Sequence, residues 1–254
     1  VGFNLADAIG AAATANPDVD FALVDSTFSE DYAGENTRAL VFNTQEAAFL
    51  AGDSAAAYSK TGTVATFGGI QIPSVTIFMD GFVDGVAKYN EDNNASVKVL
   101  GWDKDKQSGQ FTNSFDDQTL GTQVAQQFIQ QGADVIMPVA GPVGLGAAAA
   151  AKSAGDTYII GVDSDWFEST EYGDIILTSV MKEIGASVFD SIKIGSEEKW
   201  TAEPYVGTLE NGGVSLAPFH DLEDQLPDGL TDQLEQLKQD IIDGKIVVES
   251  PSSN

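Results

Sequence analysis

Hydrogen-bonding chemistry is concentrated where apolar runs give way to polar residues. Asp25 closes the run Phe21-Ala22-Leu23-Val24, and Asp163 closes the run from Tyr158 to Val162, with Asp165 two residues further on. A carboxylate accepts hydrogen bonds through both oxygens, which suits vicinal hydroxyls such as those of a sugar. The same residue type also caps helices and turns, so position alone leaves both roles open. Gly68-Gly69, Trp102-Asp103 and Gly141-Pro142 stand at similar places. The stretch Gly141-Pro142-Val143-Gly144-Leu145-Gly146 suggests a phosphate-cradling loop at first sight. Its spacing is not that of a dinucleotide fingerprint, and Pro142 lacks the amide a phosphate would need. It suits a turn that brings backbone near a neutral ligand.

Phe115 lies in the polar stretch Thr112-Asn113-Ser114-Phe115-Asp116-Asp117. An aromatic ring so placed can stack on a planar base, or it can staple the following helix. Lys182 follows the apolar run Ile175 to Val180 in a chain with few cations. His220 is the only histidine and there is no cysteine. A nucleophile–His–acid relay would have to use that one imidazole, and a thiolate metal site is excluded. Asp163 and Asp165 could suggest a glycosidase pair, but carboxylates two residues apart in one turn need not flank a scissile bond. No cofactor is expected.

These positions need parallel strands to present them, because open α/β sheets bind ligands beyond the carboxyl ends of their strands. The pattern supplies such strands. β-rich runs at 21–25, 62–67, 97–102, 134–140, 158–162 and 175–180 alternate with helical patterns at 44–60, 75–90, 119–131 and 184–194, as crossover connections require. Asn211-Gly212-Gly213 between apolar residues predicts a hairpin over 206–216. A last helix is expected over 231–243, and a disordered tail over 249–254. The 254 residues exceed one modest domain and carry 43% hydrophobic residues, enough to build a core. The formal charge of −27, from 39 acidic and 12 basic residues, excludes a nucleic-acid backbone as partner. No apolar run approaches the roughly 20 residues of a membrane span.

At these same positions the sequence resembles a known family. The matching stretches include Val1 to Ala8, Phe21 to Asp25, Asn43 to Gly52, Phe67 to Pro73, Phe78 to Phe82, Asn113 to Asp117, Gly132 to Ile136, Ile160 to Asp165 and Leu177 to Lys182. In order along the chain, they are similar to the basic membrane protein family of bacterial lipoproteins. That family includes the purine nucleoside receptors of ABC-type importers. The resemblance implies a type I periplasmic-binding fold with two Rossmann-like lobes, a hinge and a ligand between them. The first lobe is expected at 1–43 and 177–205, without the family's first strand and helix, and the second at 44–176 and 206–254. The resemblance assigns Asp25 to the nucleoside, Phe115 to stacking on the base and Gly141 to a backbone contact. Asp163 and Lys182 would hold the ribose hydroxyls, with Asp165 the alternative carboxylate. The implied protein is not an enzyme. It would close on a purine nucleoside and present it to a permease outside the cytoplasm, meeting the membrane only through a lipid anchor outside this chain. The rival readings are a nucleoside-hydrolysing enzyme and a ligand-sensing module on the same fold.

Overall fold

The structure, a computed structural model, describes residues 2–197 and 199–254. Val1, which opens the first matching stretch, and Glu198, within the expected first lobe, lie outside the described residues. The elements run α1 (Ala6–Ala15), β1 (Phe21–Val24), β2 (Thr37–Phe42), α2 (Thr44–Tyr58), β3 (Thr63–Gly68), α3 (Pro73–Asn93) and β4 (Lys98–Leu100). There follow β5 (Trp102–Asp103), β6 (Ser108–Gly109), α4 (Gln118–Gln130), β7 (Val135–Val139), α5 (Val143–Ala154), β8 (Tyr158–Asp163) and the one-turn α6 (Trp166–Ser169). The chain ends with β9 (Ile176–Lys182), α7 (Ile184–Ser196), β10 (Tyr205–Gly207), β11 (Val214–Leu216), a 3-10 turn at His220–Gln225 and α8 (Leu230–Ile242).

The chain divides into two compact units: Val1–Asn43, Lys182–Val214 and Asn254 form unit 1, and Thr44–Met181 with Ser215–Ser253 form unit 2. The divisions fall later than the expected 176/177 and 205/206. β9 runs unbroken to Lys182, and β10 pairs with β2 in the sheet of unit 1. Unit 1 is built on a parallel sheet of order β1-β2-β10. Every residue of its central strand β2 is buried, including Arg38. That guanidinium donates to the Glu203 carbonyl at 3.0 Å, to Asp190 at 3.1 Å and to Ser191 Oγ at 3.2 Å, so the buried charge is paired and α7 is pinned to the sheet.

Unit 2 is built on the six-stranded sheet of order β11-β9-β8-β7-β3-β4. Its β3, β4, β7, β8 and β9 are parallel, so their carboxyl ends share one edge. Phe67, Ile136, Met137, Ile159 and Ile160 in these strands are fully buried. Helices α2 and α3 pack backbone to backbone. A Cβ at Gly52 would lie 2.1 Å from the Phe82 carbonyl oxygen, and one at Gly85 1.9 Å from that of Phe49. This close approach seals two carboxylates, Asp53 and Asp80, from solvent entirely.

Asp80 explains one departure from expectation. Residues 249–254 were expected to be disordered but are held by hydrogen bonds. Ser250 Oγ donates to Asp80 at 2.6 Å, beside Trp102 Nε1 at 2.8 Å and Gln107 Nε2 at 2.9 Å. Ser252 Oγ meets Thr76 Oγ1 at 2.9 Å, and Gln45 Nε2 donates to Ser253 Oγ at 3.0 Å. A buried carboxylate needs donors, and the polar tail supplies one. The hairpin expected over 206–216 is also corrected. Asn211 does make a tight turn, its side-chain Oδ1 accepting from the Thr208 and Gly213 amides at 2.8 and 2.9 Å. The flanking strands part, however: β10 joins β2 in the sheet of unit 1, and β11 joins β9 in the six-stranded sheet. The strand expected at 97–102 breaks at Gly101, whose φ of 89° turns the chain into the β5–β6 pair.

Candidate functional site

The candidate residues of unit 2 lie along the carboxyl edge of its sheet. β3 ends on Gly68, and residues 110–113 flank Gly68-Gly69 as an added strip. The Gly68 amide donates to the Gln110 carbonyl at 3.0 Å, and the Thr112 and Asn113 amides donate to the Gly68 and Gly69 carbonyls at 3.0 and 2.7 Å. The turn after this strip is fixed locally. Thr112 Oγ1 donates to the Ser114 carbonyl at 2.9 Å, and Ser114 Oγ accepts from the amides of Asp116 and Asp117, each at 3.1 Å. Asp117 then caps α4, accepting from the Thr119 amide at 2.9 Å.

Phe115 emerges half-buried from this turn. Its ring edge rests on Gly69, where a Cβ would come within 2.4 Å of Cε1, so the seat exists only because position 69 has no side chain. The ring also reaches 3.8 Å from the place a Cβ on Gly141 would occupy. Phe115 stands two residues before the cap Asp117, whereas a staple occupies the position immediately before the cap. The staple reading is therefore set aside. Gly141 itself has φ 52°, and Pro142 is the cap residue of α5. Phe115, Gly69 and Gly141 are thus brought together, as a base platform would require.

Asp163 is the exposed last residue of β8, opposite Met181 of β9, with its backbone in the left-handed region at φ 70°. Asp165, the alternative, is already committed. One oxygen caps α6 through the Phe167 amide at 3.0 Å, and the other meets His220 Nε2 at 2.7 Å. The His220 ring stacks on Phe167 with centroids 4.0 Å apart and planes 7° apart. This cluster was not foreseen from the sequence. Its only linear trace is Asp163-Ser164-Asp165, and the histidine comes from 55 residues away.

In unit 1, Asp25 follows β1 with φ 66° and donates its amide to the Leu40 carbonyl at 2.8 Å. Lys182 Nζ bonds Asp25 Oδ1 at 2.9 Å, with side-chain exposures of 3% for the lysine and 28% for the aspartate. The sequence paired Lys182 with Asp163; the structure adds Asp25 as an ionic partner. A buried ammonium requires such a partner, and the bond holds one carboxylate oxygen in place. Asp25 and Asp163 therefore share a strand-end position and a sparsely populated backbone conformation, a combination that clusters at ligand sites. A cavity of about 440 Å³ lies instead at the amino edge of the unit 2 sheet, among Tyr58, Lys60, Asp134 and Tyr158. The Asp134 carboxylate there is occupied by Ser59 Oγ and the Lys60 and Thr61 amides at 2.6–2.9 Å, which makes it a structural bracket. Among the described residues, no cluster of His, Cys, Asp and Glu could hold a metal ion.

Residues 1–252 match the Bmp family, described as ABC transporter substrate-binding protein PnrA-like. The chain belongs to the Bmp family. The ABC transporter nucleoside-binding protein BmpA of Lactococcus lactis subsp. cremoris is 32% identical over 267 residues, spanning 98% of this chain and 70% of that protein. Basic membrane protein A of Borreliella burgdorferi is 34% identical over 189 residues, 74% of this chain and 52% of the relative. Among solved structures, an ABC transporter solute-binding protein from Aeropyrum pernix K1 aligns over 99% of this chain and 76% of its own at 27% identity and a TM-score of 0.81. A periplasmic solute-binding protein of Actinobacillus succinogenes with bound D-allose shares the fold alone, at 13% identity and a TM-score of 0.62. The Bmp chain thus has the type I periplasmic-binding fold. It is a substrate-binding protein of an ABC transporter and not an enzyme, which removes the hydrolase reading. No helix among the described residues is long and apolar enough to cross a membrane.

Proposed function

We propose that this Bmp protein binds a purine nucleoside outside the cytoplasm and delivers it to the permease of an ABC-type importer. The observation that carries this reading is Phe115 seated on Gly69 beside Gly141, an aromatic platform at the carboxyl edge of a parallel sheet. Phe115 stacks on the base, and the Gly141 backbone lines its edge. Asp163 accepts from the ribose hydroxyls. Lys182 joins it there while holding Asp25, whose carboxylate contacts the nucleoside. The relative in Lactococcus lactis, named for nucleoside binding, supports the ligand class. The lack of a basic cluster in a chain of charge −27 supports a neutral ligand over a nucleotide. Mass spectrometry of the ligand that co-purifies, followed by calorimetry with inosine, guanosine, adenosine, cytidine and ribose, tests the reading. Purine nucleosides are expected to bind most tightly. Binding of free ribose alone, or of none of these, would overturn it.

A further inference from the structure

We propose that His220 is a positioning residue for the ligand site, fixing the turn that presents Asp163. Asp163 holds φ 70°, a conformation that non-glycine residues keep only where their surroundings over-determine it. The turn after it is tied at three points. The Ser164 amide bonds the Val162 carbonyl at 2.9 Å. Trp166 donates its amide to Ser179 Oγ at 3.0 Å and Nε1 to the Val162 carbonyl at 2.9 Å, which fastens the far side of the turn to β8 and β9. The third tie is Asp165, which lies between the anchored Ser164 and Trp166. Its carbonyl accepts from the Ser169 amide and hydroxyl at 3.0 and 2.7 Å, and its carboxylate is held by the cap to Phe167 and by His220 at 2.7 Å.

Nothing about the docking of the 3-10 turn that carries His220 calls for this bond. Phe219 and Leu222 on either side are buried and anchor that segment. His220 nonetheless adopts φ 47° and lays its ring flat on Phe167, aiming Nε2 at the Asp165 carboxylate. With one oxygen on the Phe167 amide and the other on the imidazole, the Asp165 carboxylate is held at both oxygens and its rotation is restricted. The beneficiary is the 163–167 turn. The role assigned to Asp163 as the ribose acceptor rests on the nucleoside reading above; the locking of the turn does not.

The test uses His220→Phe, which keeps the ring on Phe167 and removes the nitrogen. Amide hydrogen exchange is measured on the ligand-free protein, and guanosine and 2′-deoxyguanosine are titrated by calorimetry. Exchange at Trp166 and Phe167 is expected to rise roughly tenfold, the size of one lost charged hydrogen bond, with the β3 and β7 amides unchanged. The preference for guanosine over its deoxy analogue is expected to collapse toward unity. His220→Gln, which retains a donor, is expected to restore both. Unchanged exchange in the turn overturns the proposal whatever the ligand data show. Faster exchange with the ribose preference intact upholds the lock and removes Asp163 from the ribose. A wild-type protein that binds no nucleoside refutes the nucleoside reading, and the exchange arm still decides the role of His220.

Discussion

Asp53 offers a prediction that depends on packing alone. It sits in α2 with no solvent exposure, its Oδ1 accepts from Gln233 Nε2 of α8 at 2.9 Å, and its Oδ2 is buried without a partner. Burial raises its pKa from 3.8 to about 7; the Asp92 charge adds to the rise, while Lys88 and the Gln233 hydrogen bond oppose it. The folded state therefore binds this proton more tightly than the unfolded chain does. The stabilisation is present at low pH and is lost as pH rises from about 4 to about 7. At ~1.4 kcal/mol per pH unit, the ionised carboxylate costs on the order of 4 kcal/mol above pH 7, less whatever the helices recover by relaxing.

Asp53→Asn is neutral at every pH and keeps an acceptor for Gln233. Its stability relative to wild type should climb with pH, and the gap should widen by about 2–3 kcal/mol between pH 5 and pH 8. It should then stay flat above pH 8. Urea unfolding followed by tryptophan fluorescence reads this directly, because Trp102 and Trp166 lie in the same unit as Asp53. Asp92→Asn should narrow the gap by removing the second contributor. A gap that is the same at pH 5 and pH 8 would refute the reasoning, since every other titrating group is common to both proteins.

Phe115→Ala should weaken purine nucleoside binding by ~1–3 kcal/mol with little change in melting temperature, because the ring lies on Gly69 and is only half-buried; calorimetry beside a thermal melt decides. A 2′-deoxyribonucleoside should bind more weakly than its ribo counterpart by ~1–3 kcal/mol, the cost of leaving a desolvated acceptor unpaired, and equal affinities for guanosine and 2′-deoxyguanosine would remove Asp163 from the ribose. AMP should compete far less well than adenosine at moderate salt. The one cation assigned to the site, Lys182, is 3% exposed and already bonded to Asp25, and Pro142 denies the Gly141 turn an amide.

The sequence made one class of feature legible: whatever depends on local pattern. Alternating runs located most strands and helices of unit 2, with β1 and α7 of unit 1, because burial on both faces of a parallel strand demands unbroken apolar residues. α1 and the central strand β2 of unit 1 were not among the expected elements, β2 opening on the polar pair Thr37-Arg38. Strand ends then located Asp25, Gly141 and Asp163, since chain direction alone fixes the ligand edge of a parallel sheet. Lys182 was found the same way. The sequence did not show that Asp25 would be its ion partner, 157 residues away. Phe115 stood out as an apolar residue in polar company, yet its seat required knowing that Gly69 would lie beneath it.

What stayed hidden depends on donors that arrive from distant parts of the chain. Asp53 and Asp80 lie within the helical patterns at 44–60 and 75–90, and nothing in the local sequence marks them as buried. Both are sealed because glycines at 52 and 85 let α2 and α3 approach more closely than any side chain would permit. Once sealed, their fates differ by what reaches them. Asp80 collects Trp102, Gln107 and Ser250, and so orders a tail that composition alone marked as disordered. Asp53 receives Gln233 on one oxygen and nothing on the other. A carboxylate with three donors is a structural anchor, and one with an unpartnered oxygen is a site where pH acts on stability. The two residues are of the same type, on paired helices, with no solvent contact. Only their non-local partners separate them, and those partners are set by the tertiary fold.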